Sequence, residues 1–382
     1  MRFEALLDET LEELRAASLF RDAEDGAVRR SVAAAAEHAG LSLLDASSND
    51  YLGFAQRSVS RETVAHPGAG ASRLIHGSTA EHGRLEAELA NWVNSDTALL
   101  FSSTYAANLG VISALGVAGS VVHSDSMNHA SIIDGARLAK ADVRVFPHLE
   151  LEALESALKQ HRGSRACWVV TESYFSMDGD GPDLPALREL CNRHDACLIV
   201  DEAHALGVFG PGGAGRCAAA AVKPDILIGA LGKAVGTHGG FVAGSSQLRT
   251  FLWNRARSFV FSTAPSPLLA QQTEAHVRLA RRADALRTAL AERAAELRAQ
   301  LRAARLPLAP DSFGPIVSVI LGGNEQVLNA ARRLQQVGIL AQAIRPPTVP
   351  VGGARLRLTV KATFSAAEIT RLAQAVTEAC AS

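Results

Sequence analysis

Short apolar runs recur through the middle of this chain, and segments of helical spacing separate most of them. They span residues 98–101, 120–123, 143–146, 166–171, 196–201, 225–229 and 240–243, with helical patterns at 81–93 and 149–160 among the intervening stretches. Strands that are apolar almost throughout cannot leave one face in water. The pattern therefore predicts an α/β fold: a mainly parallel sheet with helices on both faces. Ligands of such sheets bind beyond the carboxyl ends of the strands. The residues just after each run are where chemistry is to be sought.

The flanks divide the chain. Phe3, Leu6, Leu7, Leu11 and Leu14 repeat at helical spacing and predict a helix over about residues 2–19. Leu286, Leu290, Leu297 and Leu301 trace one face of a long helix that stops before Pro307. Beyond it, strands at 315–321, 338–344 and 355–360 and helices at 325–336 and 366–379 form a smaller α+β domain. The expected division is an N-terminal helical segment, 1–45, packing with the small domain; a large domain, 46–280; and a small C-terminal domain, 281–382. A formal net charge of −1 supplies no field for nucleic acid or an anionic membrane. The acidic N-terminus is unlike a signal or transit peptide, and no apolar stretch reaches spanning length. Five cysteines without C-x-x-C spacing point to a reducing compartment, so a cytoplasmic protein is expected.

Only five of the 38 basic residues are lysines: Lys140, Lys159, Lys223, Lys233 and Lys361. An amine can lose its proton and attack a carbonyl, whereas a guanidinium cannot. Lys233 follows the apolar run at 225–229 and precedes a glycine-rich stretch. Asp201 and His204 close the run before it. A lysine, an acid and a histidine after two buried strands suit pyridoxal phosphate (PLP), whose aldehyde the lysine holds and whose pyridine nitrogen the acid keeps protonated. Other signals are weaker. Gly210-Pro-Gly-Gly-Ala-Gly215 matches G-x-G-x-x-G but follows a loop and contains Pro211, so it reads as a flexible loop. Residues 102–108 join a strand to a helix start that could hold a phosphate. His129 also lies between a strand and a helix, and 175–181 is a polar turn. No H-E-x-x-H or G-x-S-x-G motif occurs.

Taken in order, Ser48-Asn-Asp-Tyr-Leu-Gly53, Asn128-His-Ala-Ser131, Thr171-Glu-Ser-Tyr-Phe-Ser-Met-Asp-Gly-Asp180, Asp201-Glu-Ala-His204 and Leu231-Gly-Lys233 resemble the α-oxoamine synthases of the fold-type I PLP-dependent transferases. The resemblance covers almost the whole chain. It implies that Lys233 holds the cofactor and moves protons, that Asp201 pairs with the ring nitrogen and that His204 lies near the ring oxygen. His129 would stack on the ring and also border substrate. Thr104 and Tyr105 would meet the phosphate through backbone amides, Ser176 would support the cofactor, and Ser262 or Thr263 would reach the phosphate of the neighbouring subunit of a homodimer. Arg21, Asn49 and Thr348 would contact substrate, with Arg345 as a carboxylate clamp. The stretch Ile344-Arg-Pro-Pro-Thr-Val-Pro350 and Arg355-Leu-Arg-Leu358 resemble the branch that condenses L-alanine with a pimeloyl thioester, on coenzyme A (pimeloyl-CoA) or an acyl carrier protein (pimeloyl-acyl carrier protein). The alternative is a glycine-using relative, of the 2-amino-3-ketobutyrate CoA ligase or 5-aminolevulinate synthase type. One departure stands out: the family commonly has threonine three residues before the lysine, where this chain has Ala230.

Overall fold

The computed structural model describes residues 3–21, 27–57, 66–160 and 166–381, and the chain forms two compact units. The larger comprises Asp50–Ser176 and Asp180–Thr288, the smaller Met1–Asn49, Met177–Gly179 and Ala289–Ser382. Seven strands make the sheet of the larger unit, in the order Thr97–Phe101, Gly240–Gly244, Ile226–Ala230, Cys197–Asp201, Cys167–Glu172, Val121–Asp125 and Asp142–Phe146. Every apolar run is a strand. Gly240–Gly244 alone runs antiparallel to its neighbours, and the other pairings are parallel. Side chains alternate between the two faces. Val170, Ile199 and Ile228 pack with Val111, Ile112 and Ile132, while Val169, Leu198 and Val200 pack with Leu154, Leu187 and Leu190. Both faces are therefore buried, which is why these strands read as continuous apolar runs.

The smaller unit holds an antiparallel sheet in the order Gln342–Ile344, Ala354–Thr359 and Ile316–Gly322. Its helices include Asn324–Gln336 and Ala366–Cys380. The run at 338–344, read as one strand, is two. Ile339–Leu340 pairs in parallel with Leu44–Asp45, and after Ala341 the chain changes partner to Ala354–Thr359. The alanine-rich stretch near residue 32 is a helix, Ala27–His38, that periodicity did not reveal. Gly338 explains how it fits: at φ +74°, a Cβ there would lie 2.5 Å from Ala36 Cβ. The first helix is Phe3–Ala16; residue 2, where it was expected to begin, and the side chains of Phe3 and Leu6 lie outside the described residues. The long helix is Asp284–Ala303, with Leu290, Leu297 and Leu301 buried. Among the described residues no helix is long and apolar enough to cross a membrane.

Asp45 ties the N-terminal segment into the smaller unit. Burial alone would raise its pKa, but the Ser47 hydroxyl, Arg29 at 2.6 Å, Lys361 and the Ser47 amide together hold it at about 2, below the usual 3.8. A depressed carboxyl pKa contributes stability that is present above pH 4 and is lost as pH falls through about 2. Arg29 is half exposed, which screens the pair. Asp45→Asn should therefore cost roughly 1–2 kcal/mol at pH 7 and flatten the acid limb of the stability curve between about pH 4 and 2, measured by urea unfolding across pH.

Candidate active site

The parallel register brings Glu172 and Asp201 side by side at the carboxyl edge of the larger unit's sheet. Both are buried. Asp201 Oδ2 accepts from Asn108 Nδ2 at 2.7 Å and its Oδ1 from the Ala203 amide at 2.8 Å. Both donors are neutral groups. Asn108 sits one helical turn beyond Thr104 in the helix Thr104–Leu115, and the same Nδ2 also donates to Ser131 Oγ at 2.9 Å. Ser131 in turn meets His129 Nδ1, through its hydroxyl at 2.8 Å and its amide at 3.2 Å. A backbone amide can only donate. Nδ1 is therefore an acceptor, and the ring proton belongs on Nε2.

Electrostatics links these groups to Lys233, which lies three residues past the strand Ile226–Ala230 and is half-buried. Desolvation pushes the His129 pKa down, the Asp201 charge pulls it up, and the Lys233 charge pushes it down again; the net direction is downward, towards a neutral ring. Glu172 goes the other way. Burial raises its pKa well above the usual range and Asp201 raises it further, against Lys233 and the His129 amide, which donates to Glu172 Oε1 at 2.8 Å. Two adjoining buried carboxyls each disfavour the other's charge, and Glu172 is the one shifted upward. His204, after the Asp201 strand, is buried and hydrogen-bonded through Nδ1 to the Tyr51 hydroxyl at 2.7 Å.

Asp201, the last residue of its strand, and His204, Lys233, His129, Thr104, Tyr105 and Ser176, in the loops and helix starts that follow strands, thus all belong to one sheet edge. Ser103 caps the helix at Thr104 by accepting from the Ala106 amide, which leaves the first amides without partners inside the helix. Gly240 lets this start lie against the sheet, since a Cβ there would be 2.4 Å from Thr104 N. Tyr105 is exposed and donates its hydroxyl to Asp134. Ser262 and Thr263 lie in the same unit on a separate loop, where Thr263 bridges to Ser72. Arg21, Asn49, Arg345 and Thr348 belong to the smaller unit. There Arg345 is buried and donates to Ser18 O; burial and the Arg21 charge push its pKa down. Both arginines border a cavity of about 520 Å³, and Arg345 Nε is buried without a hydrogen-bond partner. Asn49 Oδ1 accepts from Arg357 Nη2 at 2.9 Å. Thr348 is exposed.

Sequence reasoning assigned no role to Asn108, Glu172, Tyr51 or Arg357. Asn108 could have been found, because i and i+4 share a helix face. Glu172 needed the strand register. The Gly210–Gly215 stretch is tied down rather than loose: the buried carboxylate of Glu202 accepts from the Arg216 and Cys217 amides. Gly215 has φ +98°, and a Cβ there would lie 2.5 Å from Glu202 Oε2. It is structural.

A buried carboxylate on neutral donors, an amine after the next strand and a capped helix start fit PLP. The sequence profile described as aminotransferase class I and II matches residues 42–376, and the chain belongs to that family. Within it the chain groups with the 8-amino-7-oxononanoate synthases. It is 40% identical over 381 residues to the one from Pelobacter propionicus, 97% of each chain being covered. Among solved structures it is similar to 8-amino-7-oxononanoate synthase from Francisella tularensis, with a TM-score of 0.75 at 25% identity, covering 88% of this chain and 97% of that one. It is also similar to a serine palmitoyltransferase from S. paucimobilis bound to a PLP–myriocin aldimine, with a TM-score of 0.84 at 28% identity, over 88% and 87% of the two chains.

Proposed function

We propose that this chain is a PLP-dependent acyltransferase that condenses L-alanine with a pimeloyl thioester, releasing carbon dioxide and the free thiol and forming 8-amino-7-oxononanoate for biotin synthesis. The observation that carries this reading is Lys233 within electrostatic range of the Asp201–His129 group, in a chain 40% identical to synthases of that name. When bound, the cofactor supplies an aldehyde for an amine to join and a ring that accepts electron density.

The residues then divide the work. Lys233 Nζ would hold the cofactor by its aldehyde, and as a free amine would take and return the substrate's α-proton. Asp201, held by the Asn108 and Ala203 donors, would pair with the ring nitrogen and favour its protonated form. His204, oriented by Tyr51, would lie near the ring oxygen, and His129 would stack on the ring. The Thr104 and Tyr105 backbone amides would meet the phosphate, and Ser176 would support the cofactor. Ala230 offers no hydroxyl there, so backbone donors carry that contact. In the smaller unit Arg345 clamps a carboxylate, for which an arginine fork is suited, and Arg21, Asn49 and Thr348 meet substrate. Holding both substrates in register contributes much of the rate. Borohydride reduction of the holoenzyme followed by peptide mapping should place the label on Lys233. A label on Lys223 would overturn the assignment.

The same reading makes the active unit a homodimer in which Ser262 or Thr263 serves the partner's phosphate. Phe261 and Ile75 are 71% and 78% exposed, and their segments are joined by the Ser72–Thr263 bridge and by the Ala264 amide donating to Ala71 O at 3.0 Å. Two such apolar side chains on one ridge of a single chain suit burial against a second copy. Sedimentation should give an active dimer; a fully active monomer would remove the shared site. Substrate choice rests on the least specific contacts. A pocket that admits one methyl discriminates by only about 1–3 kcal/mol. Alanine should therefore exceed glycine in kcat/KM with pimeloyl-CoA by roughly 10–200-fold, with succinyl- and acetyl-CoA as poor donors. A preference for glycine with a short acyl donor would move the chain to the glycine-using branch.

A further inference from the structure

The mechanism above makes no use of His148, which follows the strand Asp142–Phe146. Its two ring nitrogens end on two different carboxylates: Nδ1 is 2.8 Å from Asp125 Oδ1, and Nε2 is 3.1 Å from Asp180 Oδ2. Phe175 meets the ring edge-on at 4.5 Å between centroids. Asp125 ends the strand Val121–Asp125 and also accepts from the Met127 amide at 2.8 Å and the Leu149 amide at 3.0 Å. Asp180 closes a turn by accepting the Phe175 amide on its main-chain oxygen at 2.9 Å. Leu149 itself lies at φ +60°, a conformation that bulky side chains rarely adopt. Strain of this kind persists where surrounding bonds over-determine it, and here the bond to Asp125 does so.

The charges agree with this geometry. Only an imidazolium donates from both nitrogens. Burial pushes the His148 pKa down, but hydrogen bonds to Asp125 and Asp180 and their charges outweigh it and raise it to about 10 from 6.5. A raised histidine pKa contributes stability that is complete below pH 6.5 and lost as pH rises through about 10. The bridge is therefore charged throughout the neutral range. The residues it ties down border two others: the Ser126–Asn128 turn runs directly into His129, and the turn closed by Phe175 and Asp180 contains Ser176.

We propose that His148 is a positioning residue for the cofactor site, bridging Asp125 and Asp180 so that the turns leading to His129 and Ser176 keep a fixed spacing. The inference rests on the PLP reading above. The test is titration of the apoprotein with pyridoxal phosphate, followed by absorbance, for wild type and His148→Ala, His148→Asn and His148→Gln, together with melting temperature, kcat and KM. An asparagine amide stands where Nδ1 was and a glutamine amide where Nε2 was, so each keeps one arm of the bridge. His148→Ala should bind the cofactor about tenfold more weakly, and each amide variant about threefold more weakly, than wild type, since partners that orient binding groups act at this scale. His148→Ala should also lower kcat more than it raises KM. A lowered melting temperature with unchanged cofactor affinity overturns the proposal. Should the alanine variant fail to fold, wild-type affinity in both amide variants overturns it equally. Failure of the wild-type protein to take up cofactor would instead overturn the PLP reading.

Discussion

Two carboxyl groups at the ends of adjacent parallel strands set the terms for everything around them. Glu172 and Asp201 pair in register, and both are removed from water. Placing two anions there would cost several kcal/mol, because like charges at short range in a poorly solvated site repel strongly. The fold answers this by shifting the Glu172 pKa upward and by giving both carboxyls neutral donors. The His129 amide donates to Glu172, and Asn108 and Ala203 donate to Asp201. The neighbouring contacts are built on those donors.

The path from Asp201 through Asn108 and Ser131 to His129 shows how this works at a distance. Asn108 has two amide hydrogens, and both are used: one on the carboxylate, one on Ser131 Oγ. That orients the Ser131 hydroxyl towards His129 Nδ1 and so selects one tautomer of an exposed ring. Desolvation and the Lys233 charge add to the same preference by keeping the ring neutral.

A second buried carboxyl is handled by enclosure. Glu202 sits one residue beyond Asp201, and its oxygens accept from the Arg216 and Cys217 amides, just after the glycine-rich stretch, and from the Ser173 hydroxyl. Burial raises its pKa, and these donors oppose the shift. Gly215 is required there because any side chain would occupy the carboxylate's place. A pattern that resembles a nucleotide fingerprint thus packs around an internal carboxyl group, and its meaning depends on what it encloses.

The sheet was legible in the chain itself. Each central strand is apolar on both faces because helices cover both, and that requirement is written into every residue of the run. Lys233, Asp201 and His204 were legible too, since rarity of lysine and placement after a strand are properties of one dimension. The partner exchange at Ala341 was not: the run at 338–344 has continuous strand character, and nothing local says that Leu44–Asp45 takes its first half. Nor was the helix Ala27–His38, whose alanines carry little periodic contrast. Sequence by itself thus determined which residues are strands and which side chains carry reactive groups. Only tertiary structure decided which carboxyls lie side by side, how the chain of contacts from Asp201 reaches His129 and which carboxylates His148 joins. Those outcomes depend on strand register and on contacts between residues 23 to 93 positions apart, where a shift of one residue turns every side chain to the opposite face.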